Sequence, residues 1–185
     1  MKNMPFAGLS ALFARIEATG RKKSDTMTYA SASNRAVRVL GRLKKGNNKV
    51  MVIGNGGSAG IASHVVTDFL KNVGIAALAF NDAAQITCLS NDLGYEAVFR
   101  VPVEKLARRR DILIALSSSG ASRNILDAVK AARRKGCFVI TLSGFGAGNP
   151  LRAAGDINFY VPSHSYGDVE LVHQAICHQF ADTLM

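Results

Sequence analysis

Apolar residues recur at helical spacing in two stretches near the start of the chain: Leu9, Leu12, Phe13 and Ile16 within 6–18, then Ala32, Ala36, Val39, Leu40 and Leu43 within 27–44. They predict two leading helices, separated by the basic segment 20–25. The pattern then changes. Lys49–Gly54 is a short apolar run closed by glycine, and helical spacing follows from Ala59 to Asn72, which together read as a buried strand feeding a helix. The same unit recurs at Asp111–Ser117 with a helix over 121–135. Further strands are predicted at Cys137–Leu142 and Asp156–Val161, with a weaker one at Ile75–Phe80. Residues 81–110 are helical with a break near Asn91–Gly94, Gly144–Pro150 is a loop, and 167–185 form a last helix. Strands that alternate with helices imply an α/β fold: a three-layer sandwich whose central parallel sheet, of about five strands, is covered by helices on both faces.

The length of 185 residues and the 48% hydrophobic content suit one domain with a full core, spanning 1–185. Residues 1–45 then serve as a helical lead-in for oligomer packing. Cys88, Cys137 and Cys177 are odd in number and widely spaced, which fits neither a disulfide framework nor a thiolate zinc knot and places the chain in the reducing cytoplasm. No apolar run approaches the roughly 20 residues that span a bilayer.

The formal charge of +10 is concentrated at Arg21-Lys22-Lys23, Arg42 with Lys44-Lys45, Arg108-Arg109-Arg110 and Arg133-Arg134-Lys135. The last three clusters fall at helix ends, where cations complement the helix dipole. Attraction of an anionic substrate or a polyanionic partner stays open beside that explanation. No aromatic residues interleave with the basic ones and no reading helix is recognisable, which disfavours nucleic acid.

Two strand-to-helix junctions carry candidate chemistry. Gly54-Asn55-Gly56-Gly57-Ser58 stands where the first helical N–H groups are unpaired and the dipole favours an anion, with glycines allowing close approach. It lacks the Walker lysine and the dinucleotide-binding glycine spacing, and it also fits a tight turn with Ser58 as N-cap. Ser117-Ser118-Ser119-Gly120-Ala121-Ser122 offers four hydroxyls at the second junction, facing the crevice where parallel sheets bind ligands. The same serines also suit turn formation and helix capping.

Four segments together, GNGGSA..SH, LSNDLGYEAVF, LSSSGAS and VE..H....H, resemble the sugar isomerase (SIS) superfamily from about residue 30 onward. Within it they are most similar to the phosphoheptose isomerases, which interconvert sedoheptulose 7-phosphate and a glycero-manno-heptose 7-phosphate. The resemblance implies a substrate loop at Asn55, Gly56, Gly57 and Ser58, an Asn-Asp pair at Asn91 and Asp92, and phosphate-binding hydroxyls at Ser117, Ser118, Ser119 and Ser122. It further implies metal-binding and catalytic groups at His64, Asp68, Glu170 and His178, with Glu170 also among the substrate- and phosphate-binding residues, zinc as the metal, and a homotetramer with sites between subunits. Three departures stand out: the family's glutamate is Asp68, its glutamine is Glu170, and one residue is missing between Asp168 and Val169.

The residues themselves bear on that reading. His64 and Asp68 are four apart, so they share a helix face. Glu170 and His178 are eight apart, about 80° around the helix. Two imidazoles and two carboxylates suit zinc, although a lone His/Asp pair at this spacing is commonly a surface hydrogen bond. Aldose–ketose isomerisation needs a base beside the carbon and a partner for charge on oxygen, roles open to Asp68 and His178. His173 lies roughly 140° from His178 and is assigned to structure. The alternative to an isomerase is a non-catalytic SIS module, resembling the bacterial protein that associates with the replication initiator.

Overall fold

The computed structural model describes residues 8–22 and 24–185. Five parallel strands, β3 (Val50–Ile53), β4 (Ala77–Ala79), β5 (Ile112–Ser117), β6 (Phe138–Ser143) and β7 (Ile157–Tyr160), form most of the sheet. Between and around them run α1 (Leu9–Ala14), α2 (Tyr29–Gly41), α3 (Gly57–Asp68), α4 (Ala83–Leu93), α5 (Ala97–Leu106), α6 (Arg123–Arg134) and α7 (Tyr166–Leu184). The central strands β3 and β5 are buried at every position, as expected of a sheet covered on both faces. Their residues alternate between two cores. Val50, Val52, Ile112, Ile114 and Leu116 face α2, α3 and α7, while Met51, Ile53, Leu113 and Ala115 face α5 and α6.

The start of the chain differs from the expected helix over 6–18, of which residues 6 and 7 lie outside the described residues. The helix ends at Ala14, and the chain then forms β1 (Glu17–Thr19) and β2 (Thr26–Met27). β1 pairs antiparallel to β7 and β2 antiparallel to β1, so the sheet has seven strands in the order β2-β1-β7-β6-β5-β3-β4. A three-residue strand is too short to show a period of two, and its partner lies some 140 residues away. The edge is fixed by Arg152, which is buried, pairs with Glu17, donates to the Ala147 carbonyl (2.9 Å) and lies 4.0 Å over the Tyr160 ring.

Two buried polar groups tie the layers together. Asp111, fully buried, accepts from Lys49 Nζ (2.5 Å), Asn48 Nδ2 (2.8 Å) and the backbone N–H groups of Lys49 (3.1 Å) and Arg108 (2.8 Å). Burial alone would raise its pKa, but these donors together hold it below the usual carboxylate range. His173 is also fully buried, with Nε2 3.3 Å from the Ser143 carbonyl, and burial pushes its pKa down to about 4.

Acidification should therefore destabilise the fold in two stages. The unfolded chain protonates His173 near its ordinary pKa of 6.5 while the folded chain resists until about 4, so stability falls across that window by up to about 1.4 kcal/mol per pH unit. Below it, the unfolded chain takes up a proton at Asp111 before the folded chain does, and a second loss begins. Denaturant titrations across pH should show both stages, with His173→Gln flattening the first. Asp111→Ala, which strands Lys49 and the backbone donors, should cost on the order of 3–5 kcal/mol at neutral pH.

Candidate active site

The register of the sheet sets the site. Ile53 pairs with Ala115 and Ile114 with Ile140, so the loops leaving β3 and β5 emerge side by side at the carboxyl end of the parallel strands. They enclose a cavity of about 310 Å³ lined by Asn55–Ser58, Leu116–Ser119, Ser122, Tyr166 and Glu170. Gly54 allows the first loop to fold back, since a Cβ there would lie 2.6 Å from the Ser58 backbone. Gly56 has φ +53°, a conformation that only glycine takes without strain.

The serine loop commits the Ser117 hydroxyl to bonds within the loop, where it accepts from the Gly120 N–H at 3.2 Å. Ser119 Oγ accepts from the Ala121 N–H at 3.3 Å, but among the described residues the hydroxyl protons of Ser118, Ser119 and Ser122 are not engaged. Ser122 is the N-cap of α6, yet its side chain makes no capping bond and sits 3.3 Å from Ser117 Oγ. Ser118 Oγ is buried without a partner, and a buried unpaired hydroxyl lining a cavity is a donor awaiting an acceptor. Asn149 braces the loop from behind through bonds to the Ser143 side chain and to the Gly144 and Gly146 carbonyls, and a Cβ on Gly120 (φ +62°) would run into it.

Asn55 is held in a reciprocal amide pair with buried Asn124 (2.8 and 3.0 Å), and its Oδ1 also accepts from Tyr95 (3.1 Å). Asn91 and Asp92 do not line the cavity. They are exposed at the end of α4, where Asn91 Nδ2 donates to Asp92 Oδ1 (2.8 Å). Their segment reaches the site through Tyr95, which the sequence reading passed over, as it did Asn124 and Tyr166.

A second cluster lies farther along α3 and α7. Donor atoms of His64, Asp68 and His178 all fall within 4.8 Å of one another. His64 Nε2 and His178 Nδ1 are each 3.4 Å from Asp68 Oδ2, neither with hydrogen-bond geometry, and that buried oxygen has no partner. An orphaned carboxylate oxygen flanked by two imidazoles fits a borderline divalent cation, and three protein ligands leave a coordination position open. The Gln174 amide lies 2.8 Å from His178 Nε2, so it orients the ring. Its i,i+4 spacing from His178 was the signal in the sequence.

Glu170 does not join this cluster, contrary to its expected role as a ligand. Eight helical residues rise about 12 Å, so sharing an angular sector with His178 leaves the two far apart along the axis. The Glu170 carboxylate turns instead to the start of α3, into space where a Cβ on Gly57 would sit. It lines the serine cavity.

The model of the SIS domain family matches residues 16–144, and the chain belongs to that family. Its relatives include the phosphoheptose isomerase of Helicobacter hepaticus, 35% identical over 163 residues, covering 85% of this chain and 83% of that protein. The phosphoheptose isomerase of Yersinia enterocolitica is 37% identical over 154 residues, 80% of this chain and 79% of that one. Among solved structures, phosphoheptose isomerase GmhA from Neisseria gonorrhoeae superposes with a TM-score of 0.79 at 29% identity, covering 85% of this chain and 88% of the other. That from Francisella tularensis does so with 0.78 at 32%, covering 85% and 86%.

Replacing Ser119 and Ser122 together by Ala should weaken binding of a phosphorylated sugar at least about tenfold in calorimetry, since hydrogen bonds to a charged group are strong. Glu170→Gln should act in the opposite direction. Removing a negative charge from the anion cavity is expected to lower KM for a phosphosugar severalfold with little change in kcat.

Proposed function

We propose that this chain is an aldose–ketose isomerase that converts sedoheptulose 7-phosphate to D-glycero-D-manno-heptose 7-phosphate. The observation that carries the reading is the buried, unpartnered Asp68 Oδ2 between His64 and His178, on the helix whose start, at Gly57, lines the serine cavity. Along α3, Gly57 and Asp68 are separated by a rise of about 16 Å. An extended chain advances about 1.2 Å per bond, so the eight bonds from phosphorus to C1 of a heptose 7-phosphate span about 10 Å. With a contact of about 3 Å at each end the total comes to about 16 Å. A triose phosphate would fall short by about 5 Å on the same reckoning. The names of the relatives agree with this substrate class.

In this mechanism the serine hydroxyls and the N–H groups at the starts of α3 and α6 hold the phosphate. The substrate chain then lies along α3. Asp68 and His178 exchange the proton between C1 and C2 through an enediol, one accepting it as the other manages the proton on oxygen. Gln174 keeps the His178 ring in register. His64, Asp68 and His178 would hold the zinc ion, which when bound stabilises negative charge on the sugar oxygens. Aspartate is one methylene shorter than the family's glutamate, and a misplacement of about 1 Å can cost about a hundredfold in rate.

We further propose a homotetramer with sites between subunits. Exposed Leu93 and Tyr95 offer apolar surface beside Asn91 and Asp92, and assembly would bring that rim into use. Free Cys88, Cys137 and Cys177 support a cytoplasmic setting, and no described helix is long and apolar enough to cross a membrane.

Isomerisation of sedoheptulose 7-phosphate by purified protein, with metal analysis, tests the reading. Zinc should copurify, and chelation should lower Tm because a ligand bound only by the folded state stabilises it. Asp68→Asn should abolish turnover while sparing phosphosugar binding. Turnover absent in both wild type and Asp68→Glu, without bound metal, would refute the enzyme.

A further inference from the structure

At the amino ends of the same parallel strands lies a second, larger cleft of about 800 Å³. Asn48 precedes β3, Arg110 precedes β5, Phe138 opens β6 and Asp156 precedes β7. The six residues of β5 put this cleft roughly 20 Å from the serine loop. Four basic clusters far apart in sequence meet here. Arg21, Arg42, Arg110 and Arg133 line the cleft against a single carboxylate, Asp156.

That carboxylate neutralises them poorly. Its Oδ1 stands 3.7 Å from Arg21 Nε and 3.9 Å from Arg133 Nη1, while Oδ2 is taken by the Val139 N–H at 2.9 Å. Neither Arg42 nor Arg110 forms an ion pair among the described residues. Arg110 also adopts φ +75°, a left-handed conformation disfavoured for any residue with a side chain. Its N–H is clipped to the Gly136 carbonyl at 3.0 Å, so the turns before β5 and β6 lock each other and hold this guanidinium at the cleft. Helix-dipole complementarity explains cations at the end of α6, but not a non-glycine residue kept in that conformation.

Part of the remaining wall is apolar. Val39 and Leu43 face the opening of β6, where the Phe138 ring lies 5.7 Å from the Arg35 guanidinium carbon. We propose that this cleft binds a nucleoside di- or triphosphate, distinct from the sugar phosphate of the serine loop. The guanidinium groups of Arg42 and Arg110, free of ion pairs among the described residues, match consecutive phosphates, while Arg133 is partly committed to the Ala154 carbonyl at 2.7 Å. The apolar side chains of Val39 and Leu43, beside the Arg35-capped ring of Phe138, match a flat base. The volume lies within the range of small-ligand pockets. A single phosphate would leave most of that charge and all of the apolar wall unused.

Calorimetric titration with ATP, in magnesium-free buffer, tests the assignment. A saturable one-to-one isotherm is expected, weakened by added salt. The variant Arg42→Ala/Arg110→Gly should bind at least about tenfold more weakly. Glycine relieves the φ of Arg110, so a thermal melt no lower than that of wild type should accompany that loss. The Ser119→Ala/Ser122→Ala variant should bind ATP like wild type. No binding of ATP, binding unaffected by the arginine substitutions, or binding lost with the serines would each overturn the proposal. So would a 20-nucleotide RNA that binds through these arginines when ATP does not.

Discussion

Hydrogen bonding between two parallel strands governs this protein. The pairing of β3 with β5, residue against residue from Val50↔Ile112 to Ile53↔Ala115, brings two strand-to-helix loops to the same height at one end of the sheet. Each loop by itself is a turn with unpaired N–H groups. Side by side they enclose a space that two helix dipoles make favourable to an anion. A slip of one residue would send Met51 and Leu113 into the wrong core and would also separate the glycine loop from the serine loop. The register thus decides both packing and chemistry, and Asp111, which draws Lys49 and Arg108 to the entrance of β5, anchors it at the other end.

The parallel part of this architecture was legible because buried strands write themselves as continuous apolar runs ending in glycine or serine. The antiparallel edge was not. β1 contributes only Glu17, Ala18 and Thr19, and what makes it a strand is its contact with Phe159 and Tyr160, a relation between distant residues that no local period records. Ile16 continues the helical spacing of Leu9, Leu12 and Phe13 although the helix has already ended. Similarly, the helical wheel relates Glu170 to His178 by angle alone and omits the rise that parts them. His64 with Asp68 was legible because four residues is both the right angle and a short rise.

The charge of the chain was legible in amount but not in arrangement. Clusters spaced along 185 residues look like independent helix ends until the sheet gathers Arg21, Arg42, Arg110 and Arg133 around one opening. The lead-in helps to build that opening, through Arg21 in the turn between β1 and β2 and through Val39, Arg42 and Leu43 at the end of α2. It has a structural role within one chain, beyond supplying surface for assembly.

Gly57 and Glu170 share one volume, the carboxylate lying where a side chain at 57 would begin. Neither position is free to drift by itself. An alanine at 57 would evict the acid from its seat, and shortening residue 170 would leave a gap that only a larger neighbour could close. The tolerance of each site to change is thus written at the other, on a helix more than a hundred residues away in the chain. Sequences that keep a bulky polar residue at 170 should hold 57 as glycine, an epistatic rule that a survey of natural variation can read without any assay.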